Sequence, residues 1–134
     1  MMKRPASCRP SLESTMHAST YTELTRDISR NLTDLRSHHP DVTRGFNALS
    51  KAAMAPDALD AKTKELIAMA IGVANRCDGC LGFHAKALVR LGATPQEFRE
   101  MLGVAVYMGG GPSLMYAANA QAAYDEFMGA AAAA

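Results

Sequence analysis

Residues 61–84, AKTKELIAMAIGVANRCDGCLGFH, decide the fold. Ala, Leu, Met, Glu and Lys are good helix formers, and no alternating β-branched or aromatic pattern competes with them. Asp60 precedes the stretch as an N-cap, so a helix is expected over Ala61 to Asn75. From Leu66 to Ala74 that helix carries no charge. A helix apolar nearly all round belongs at the centre of a bundle. A Cys-x-x-Cys, Cys77 to Cys80, follows at once, and a second helix is expected from about Asp78 to Leu91, with Gly92 as its C′ residue.

The rest of the chain reads the same way. A helix is expected from Tyr21 to Ser37, with Leu24, Ile28, Leu32 and Leu35 on one face. His38-His39-Pro40 ends it, because proline keeps its predecessor out of helical geometry. Another starts near Asp41, carries Val42, Phe46 and Leu49, and fades at Pro56. Thr94-Pro95-Gln96-Glu97 combines an N-cap, a first-turn proline and a capping-box glutamate. The helix it opens should reach about Met108, where Gly109-Gly110-Gly111-Pro112 breaks it before a last helix, Ser113 to Met128. Residues 130–134 should fray. The expectation is an all-α bundle of about six helices in one domain over 19–129, behind a flexible leader at 1–18 in which Met16 is an alternative start. There is no internal repeat.

At 134 residues the chain can bury a core without disulfide or metal staples. A net charge of +1 gives no electrostatic case for nucleic acid as a partner. No apolar run approaches the roughly 20 residues of a membrane span, so no membrane partner is expected. Residues 1–15 are basic and rich in Pro and Ser, but no apolar stretch follows them as a secretory signal requires. A cytoplasmic, reducing location is the expectation. Of the three cysteines, Cys8 lies in the leader, where it cannot hold a redox pair. A Cys-x-x-Cys in a reducing compartment is more often redox-active or metal-binding than structural.

Cys77, Cys80 and His84 are the informative constellation. Sulfurs at a helix N-terminus meet free N–H groups and the positive end of the dipole, which favour the thiolate. His84, four residues past Cys80, shares its face one turn along and can take the thiol proton. Two thiols at this spacing can close a disulfide after one is oxidised. Glu65 is the last charge before the apolar stretch and can orient His84. Measured along straight helices from Cys77, Glu65 lies about 18 Å back and His84 about 10 Å on, leaving a gap for a bend, a water, an oblique crossing or another subunit to close. Blander readings stand beside this one. The cysteines can be small buried apolar groups, or ligate zinc with His84 and either Glu65 or His39. Glu65 can simply be a solvated first-turn carboxylate. Met54, Met69, Met101, Met108 and Met115 read as core filler, and His38 and His39 as exposed loop residues. Gly109–Gly111 lacks a preceding strand and a P-loop lysine, against phosphate binding.

A glutamate, a Cys-x-x-Cys twelve residues on and a histidine four residues after the second cysteine (Glu65, Cys77, Cys80, His84) resemble the carboxymuconolactone decarboxylase-like superfamily, in its alkylhydroperoxidase AhpD-like branch. The Gly92-Ala93-Thr94 turn and the Gly110-x-Pro112 before an Ala-rich helix fit as well, so the resemblance covers most of residues 40–128. It implies an AhpD-like helical bundle assembled as a homo-oligomer, trimer or hexamer. It further implies a thiol-dependent peroxidase, or thiol–disulfide oxidoreductase, acting on small alkyl or hydrogen peroxides. A dithiol donor of protein or lipoyl type would recharge it, with no resident cofactor or metal. Cys80 would be the peroxidatic thiol and Cys77 the resolving one, served by a Glu65–His84 proton relay; thioredoxin-like logic would reverse the cysteines. AhpD has a histidine inside the Cys-x-x-Cys where this chain has Gly79, which implies a simpler relay and slower turnover. The decarboxylase branch proper lacks the Cys-x-x-Cys, which disfavours lactone chemistry. A non-enzymatic redox-sensing or metal-binding scaffold is the third reading.

Overall fold

A computed structural model describes residues 20–134, so the expected leader at 1–18 and the boundary at 19 lie outside it. The described residues form five helices and no strand: α1 (Tyr21–His38), α2 (Pro40–Met54), α3 (Ala61–Ala74), α4 (Asp78–Arg90) and α5 (Pro95–Ala133). The expected caps form. Asp60 accepts from the Thr63 N–H, and Thr94 and Glu97 close the capping box at the start of α5. Pro40 opens α2 directly behind His39, which ends α1 with its N–H on the Leu35 carbonyl.

Six helices were expected and five are found. The expected break at Gly109–Pro112 is present inside α5: Gly110 leaves helical geometry at φ 69° and ψ −153°, so α5 is two helices joined across a kink, and the two counts differ only in whether that kink divides them. Gly109 permits the bend, since a Cβ there would overlap the buried Ser113 side chain. The C-terminal alanines are helical to Ala133, where fraying was expected; alanine has the highest helix propensity of any residue.

α3, α4 and α5 pack against one another, and α1 lies on α4. Met69 and Val73 of α3 meet Leu81, Ala85 and Leu88 of α4 and Phe98, Leu102 and Ala105 of α5. Phe98 stacks on Tyr124 with ring centroids 4.3 Å apart, and the Tyr124 hydroxyl donates to the Ala93 carbonyl at 2.6 Å. This contact ties both halves of α5 to the α4–α5 turn.

Two expectations about burial need correction. α3 is not buried all round in the single chain, for Ile67 and Ile71 are about half exposed. Met69 and Met101 are core, but Met108 and Met115 face outward. The same holds for α2, which buries no residue and turns Val42, Phe46 and Leu49 to solvent. Leu32 and Leu35 of α1 line a groove of about 280 Å³ with Val42 and Phe46.

α1 is held at its first turn from two directions. Thr20 and Glu23 form a capping box, which sequence reasoning missed. Glu126, near the end of α5, accepts from the Tyr21 and Thr22 N–H groups at 3.1 and 2.9 Å and from the Thr22 hydroxyl at 2.7 Å. Burial works against the charged Glu126 carboxylate, but these hydrogen bonds outweigh it and hold the group below the usual glutamate range. A depressed folded pKa contributes stability above the ordinary carboxyl value and loses it as pH falls through the folded one. Glu126→Gln is therefore expected to cost about 1 kcal/mol at neutral pH. The difference should vanish below the glutamate titration range. Denaturant melts of both proteins at neutral and acid pH check this; an equal gap at both would refute the latch.

Candidate active site

α3 ends in a tight turn that delivers the chain into α4. Asn75 donates to the Ile71 carbonyl, Arg76 to Val73 and Cys77 to Gly72. Cys77 then becomes the N-cap of α4, its Sγ accepting from the Cys80 N–H at 3.2 Å. Cys77 and Cys80 are joined by a disulfide, with Cα atoms 5.2 Å apart. Both are half-buried, neither sealed in the core nor fully exposed. The expected position of the sulfurs, at the start of α4, is thus the observed one.

Glu65 and His84 meet directly within one chain, Oε2 to Nδ1 at 2.6 Å. The axial count left a gap because it ran both helices to Cys77. Residues 75–77 instead turn between the helices, so only nine residues of α3 and six of α4 count, about 14 Å against about 9 Å, a difference the side chains span. A carboxylate only accepts, so Nδ1 carries the shared proton and Nε2 is left as the free nitrogen of the ring. The Glu65 side chain is 16 % exposed and that of His84 30 %, so the pair is sheltered while the ring remains reachable. Glu65 is accordingly not the solvated first-turn carboxylate of the blander reading.

Three glycines make room for this arrangement. A Cβ on Gly72 would sit 3.1 Å from the Cys80 Cβ, so α3 passes hard against the redox turn. A Cβ on Gly79 would stand 2.8 Å from Ile28 Cδ1, and one on Gly82 2.6 Å from Thr25 Cγ2. α1 therefore lies over the residues between and beyond the cysteines. Gly79 is the place where the AhpD pattern has a histidine, and here Ile28 fills that space. Sequence reasoning placed Ile28 on the apolar face of the first helix without relating it to the cysteines, and did not single out Gly72, whose one usable signal was a glycine inside an otherwise apolar helix.

The remaining histidines lie elsewhere. His39 sits exposed at the α1–α2 junction and His38 pairs with Asp34 on α1, while His17 and Cys8 fall outside the described residues. Among the described residues no three His, Cys, Asp or Glu side chains gather to hold a metal ion. No described helix is long and apolar enough to cross a membrane.

Comparison with known proteins places this geometry in context. Residues 40–123 match the model of the carboxymuconolactone decarboxylase family. An uncharacterised protein of Cupriavidus necator is 39 % identical over 104 residues, 78 % of this chain and 91 % of its own. A carboxymuconolactone decarboxylase family protein of Legionella pneumophila is 54 % identical in sequence and superposes with a TM-score of 0.79, covering 81 % of this chain and 96 % of that one. A Thermotoga maritima member, described as a candidate for involvement in an antioxidative response, is 29 % identical with a TM-score of 0.73, over 81 % of this chain and 92 % of that one.

Proposed function

Because this chain belongs to the carboxymuconolactone decarboxylase family, we propose that it is the thiol-dependent kind of member, a peroxidase that reduces small organic or hydrogen peroxides through Cys77 and Cys80. The observation that carries this reading is the pairing of the Cys77–Cys80 disulfide at the start of α4 with a Glu65-oriented His84 one turn further along that helix. The antioxidative role suggested for the Thermotoga relative agrees with it.

The chemistry begins from the dithiol. His84 Nε2 takes the Cys80 proton, and Glu65 stabilises the imidazolium across Nδ1. The Cys80 thiolate attacks the terminal oxygen of the hydroperoxide: an S–O bond forms, the O–O bond breaks, and the alkoxide leaves as an alcohol with the proton from His84. Cys77 then attacks the sulfenic sulfur, forming the disulfide and releasing water. One hydroperoxide gains two electrons and two thiols lose them. A dithiol donor, of protein or lipoyl type, restores both thiols by exchange and leaves oxidised. Such recycling fits a reducing, cytoplasmic compartment.

The protein would work as a homo-oligomer, a trimer or hexamer. Val42, Phe46 and Leu49 on α2, Ile67 and Ile71 on α3, and Met108 and Met115 on α5 are large apolar side chains left exposed in the single chain, and partner copies would cover them. A monomeric mass of 14.3 kDa by light scattering would rule this out.

One single-turnover measurement tests the chemistry. Fully reduced protein mixed with one equivalent of tert-butyl hydroperoxide should lose two thiols, both from the Cys77–Cys80 pair, far faster than free cysteine does. Thiol loss no faster than that of free cysteine would sink the peroxidase reading.

A further inference from the structure

α3 and α4 end in the same backbone motif. In α4, Leu91 caps the helix, Gly92 follows at φ 77° with its N–H on the Val89 carbonyl, and the Ala93 N–H reaches Leu88. In α3, Asn75 caps the helix, Arg76 follows at φ 54° with its N–H on Val73, and the Cys77 N–H reaches Gly72. Both are helix C-terminal turns whose residue past the cap must be left-handed, a place that favours glycine. α4 uses glycine. α3 uses arginine, the only described non-glycine residue with positive φ. Non-glycine residues held in this conformation cluster at active sites, ligand clamps and switch regions.

What distinguishes the two turns is their neighbour. The α4 turn leads to buried Ala93, whereas the α3 turn leads to Cys77 of the disulfide. Arg76 is exposed, and no carboxylate among the described residues pairs with it. Asp78, also exposed, is the opposing charge on the other side of Cys77, while Glu65 is already engaged by His84.

We infer that Arg76 is a specificity-determining residue that selects anionic reductants for the Cys77–Cys80 disulfide. The inference rests on the redox reading above and names the charge class of its electron donor. Exposed and next in the chain to Cys77, Arg76 would add positive charge to the approach to the disulfide and so favour a thiolate carrying a further negative charge. The exchange it biases is balanced. An incoming thiolate bonds to one cysteine sulfur, the Cys77–Cys80 bond breaks, and the other cysteine leaves as thiolate. A second thiolate then displaces the first as a small-molecule disulfide, so two electrons pass to the protein.

The test uses three small thiols at equal thiolate concentration: 2-mercaptoethanesulfonate, 2-mercaptoethanol and cysteamine, which differ by one charge each. Disulfide reduction is followed by acid quench, alkylation and mass measurement. A unit charge about 8 Å away across water shifts the rate of a singly charged probe about two- to threefold, and the anionic-to-cationic ratio about fivefold at low salt. Arg76→Gly should lower that ratio about fivefold, Arg76→Lys should retain it, and Asp78→Asn should raise it. The Gly effect should fade at high salt. Arg76→Gly should also melt a few degrees higher, so lost discrimination would not be lost folding. An unchanged ratio in Arg76→Gly, with 2-mercaptoethanol still reducing the disulfide, would overturn this inference alone. A disulfide that none of the three thiols reduces would overturn the redox reading beneath it.

Discussion

Cys80→Ser is expected to abolish dithiol-supported consumption of tert-butyl hydroperoxide, a fall of roughly a thousandfold or more, to the background of the donor alone. The reason is chemical. A serine hydroxyl one turn from His84 is far too weakly acidic to present an anion to the peroxide, and it cannot be oxidised reversibly by two electrons. Cys77→Ser should behave differently. Given peroxide without any donor, it retains the first step and loses the second, so each chain should consume one peroxide, stall, and carry a sulfenic acid on Cys80 that a dimedone-type reagent traps. The two variants together fix the order of the cysteines. Cys77 has its own claim to the nucleophilic role, because its sulfur accepts the Cys80 N–H at the head of α4. If the trapped sulfenic acid sits on Cys77 in Cys80→Ser protein, the proposed order is reversed. If both variants turn over normally, the peroxidase reading fails outright.

His84→Ala should slow thiol oxidation in single turnover by about 10² to 10³-fold, the usual contribution of a positioned acid–base group. Glu65→Gln should cost less, about tenfold. The amide oxygen can still accept from Nδ1–H and keep the ring oriented, but it no longer stabilises the imidazolium that forms when the thiol gives up its proton. The graded pair discriminates between a relay and a scaffold. A structural role would lower melting temperature in both variants without touching the oxidation rate of the folded protein. Equal rates in wild type and His84→Ala would remove His84 from the mechanism, and Glu65 with it.

The placement of the candidate site residues was legible in sequence because it is local. Cys77, Cys80 and His84 lie within eight residues on one helix, and helix geometry alone puts the sulfurs at its head and the imidazole one turn along. The caps at Asp60 and Thr94 were legible for the same reason: each satisfies its own helix with side chains three residues apart. Glu65 was legible as a candidate partner of His84, but whether the two meet within one chain was not, since that depends on where two helices stop and how the turn between them is spent.

The misreadings came from long-range packing. The break expected at 109–111 is present at Gly110; what the sequence did not show is that the returning half of α5 is fixed by Tyr124 on Ala93. Met108 and Met115 look like core residues by composition yet face outward on either side of that bend. Apolarity marks what should leave water, but it does not say whether the cover comes from the same chain.

The sequence by itself determined the helices, the caps at Asp60 and Thr94 and the sulfur–imidazole spacing, since each is set by neighbours within about one helical turn. Only the tertiary structure decided that Glu65 reaches His84, that α1 is latched by Glu126 over Gly79 and Gly82, and that Arg76 occupies a glycine's place beside the disulfide. Those are contacts between elements or backbone conformations imposed by packing, and residue identity along the chain does not encode the distances and angles that create them.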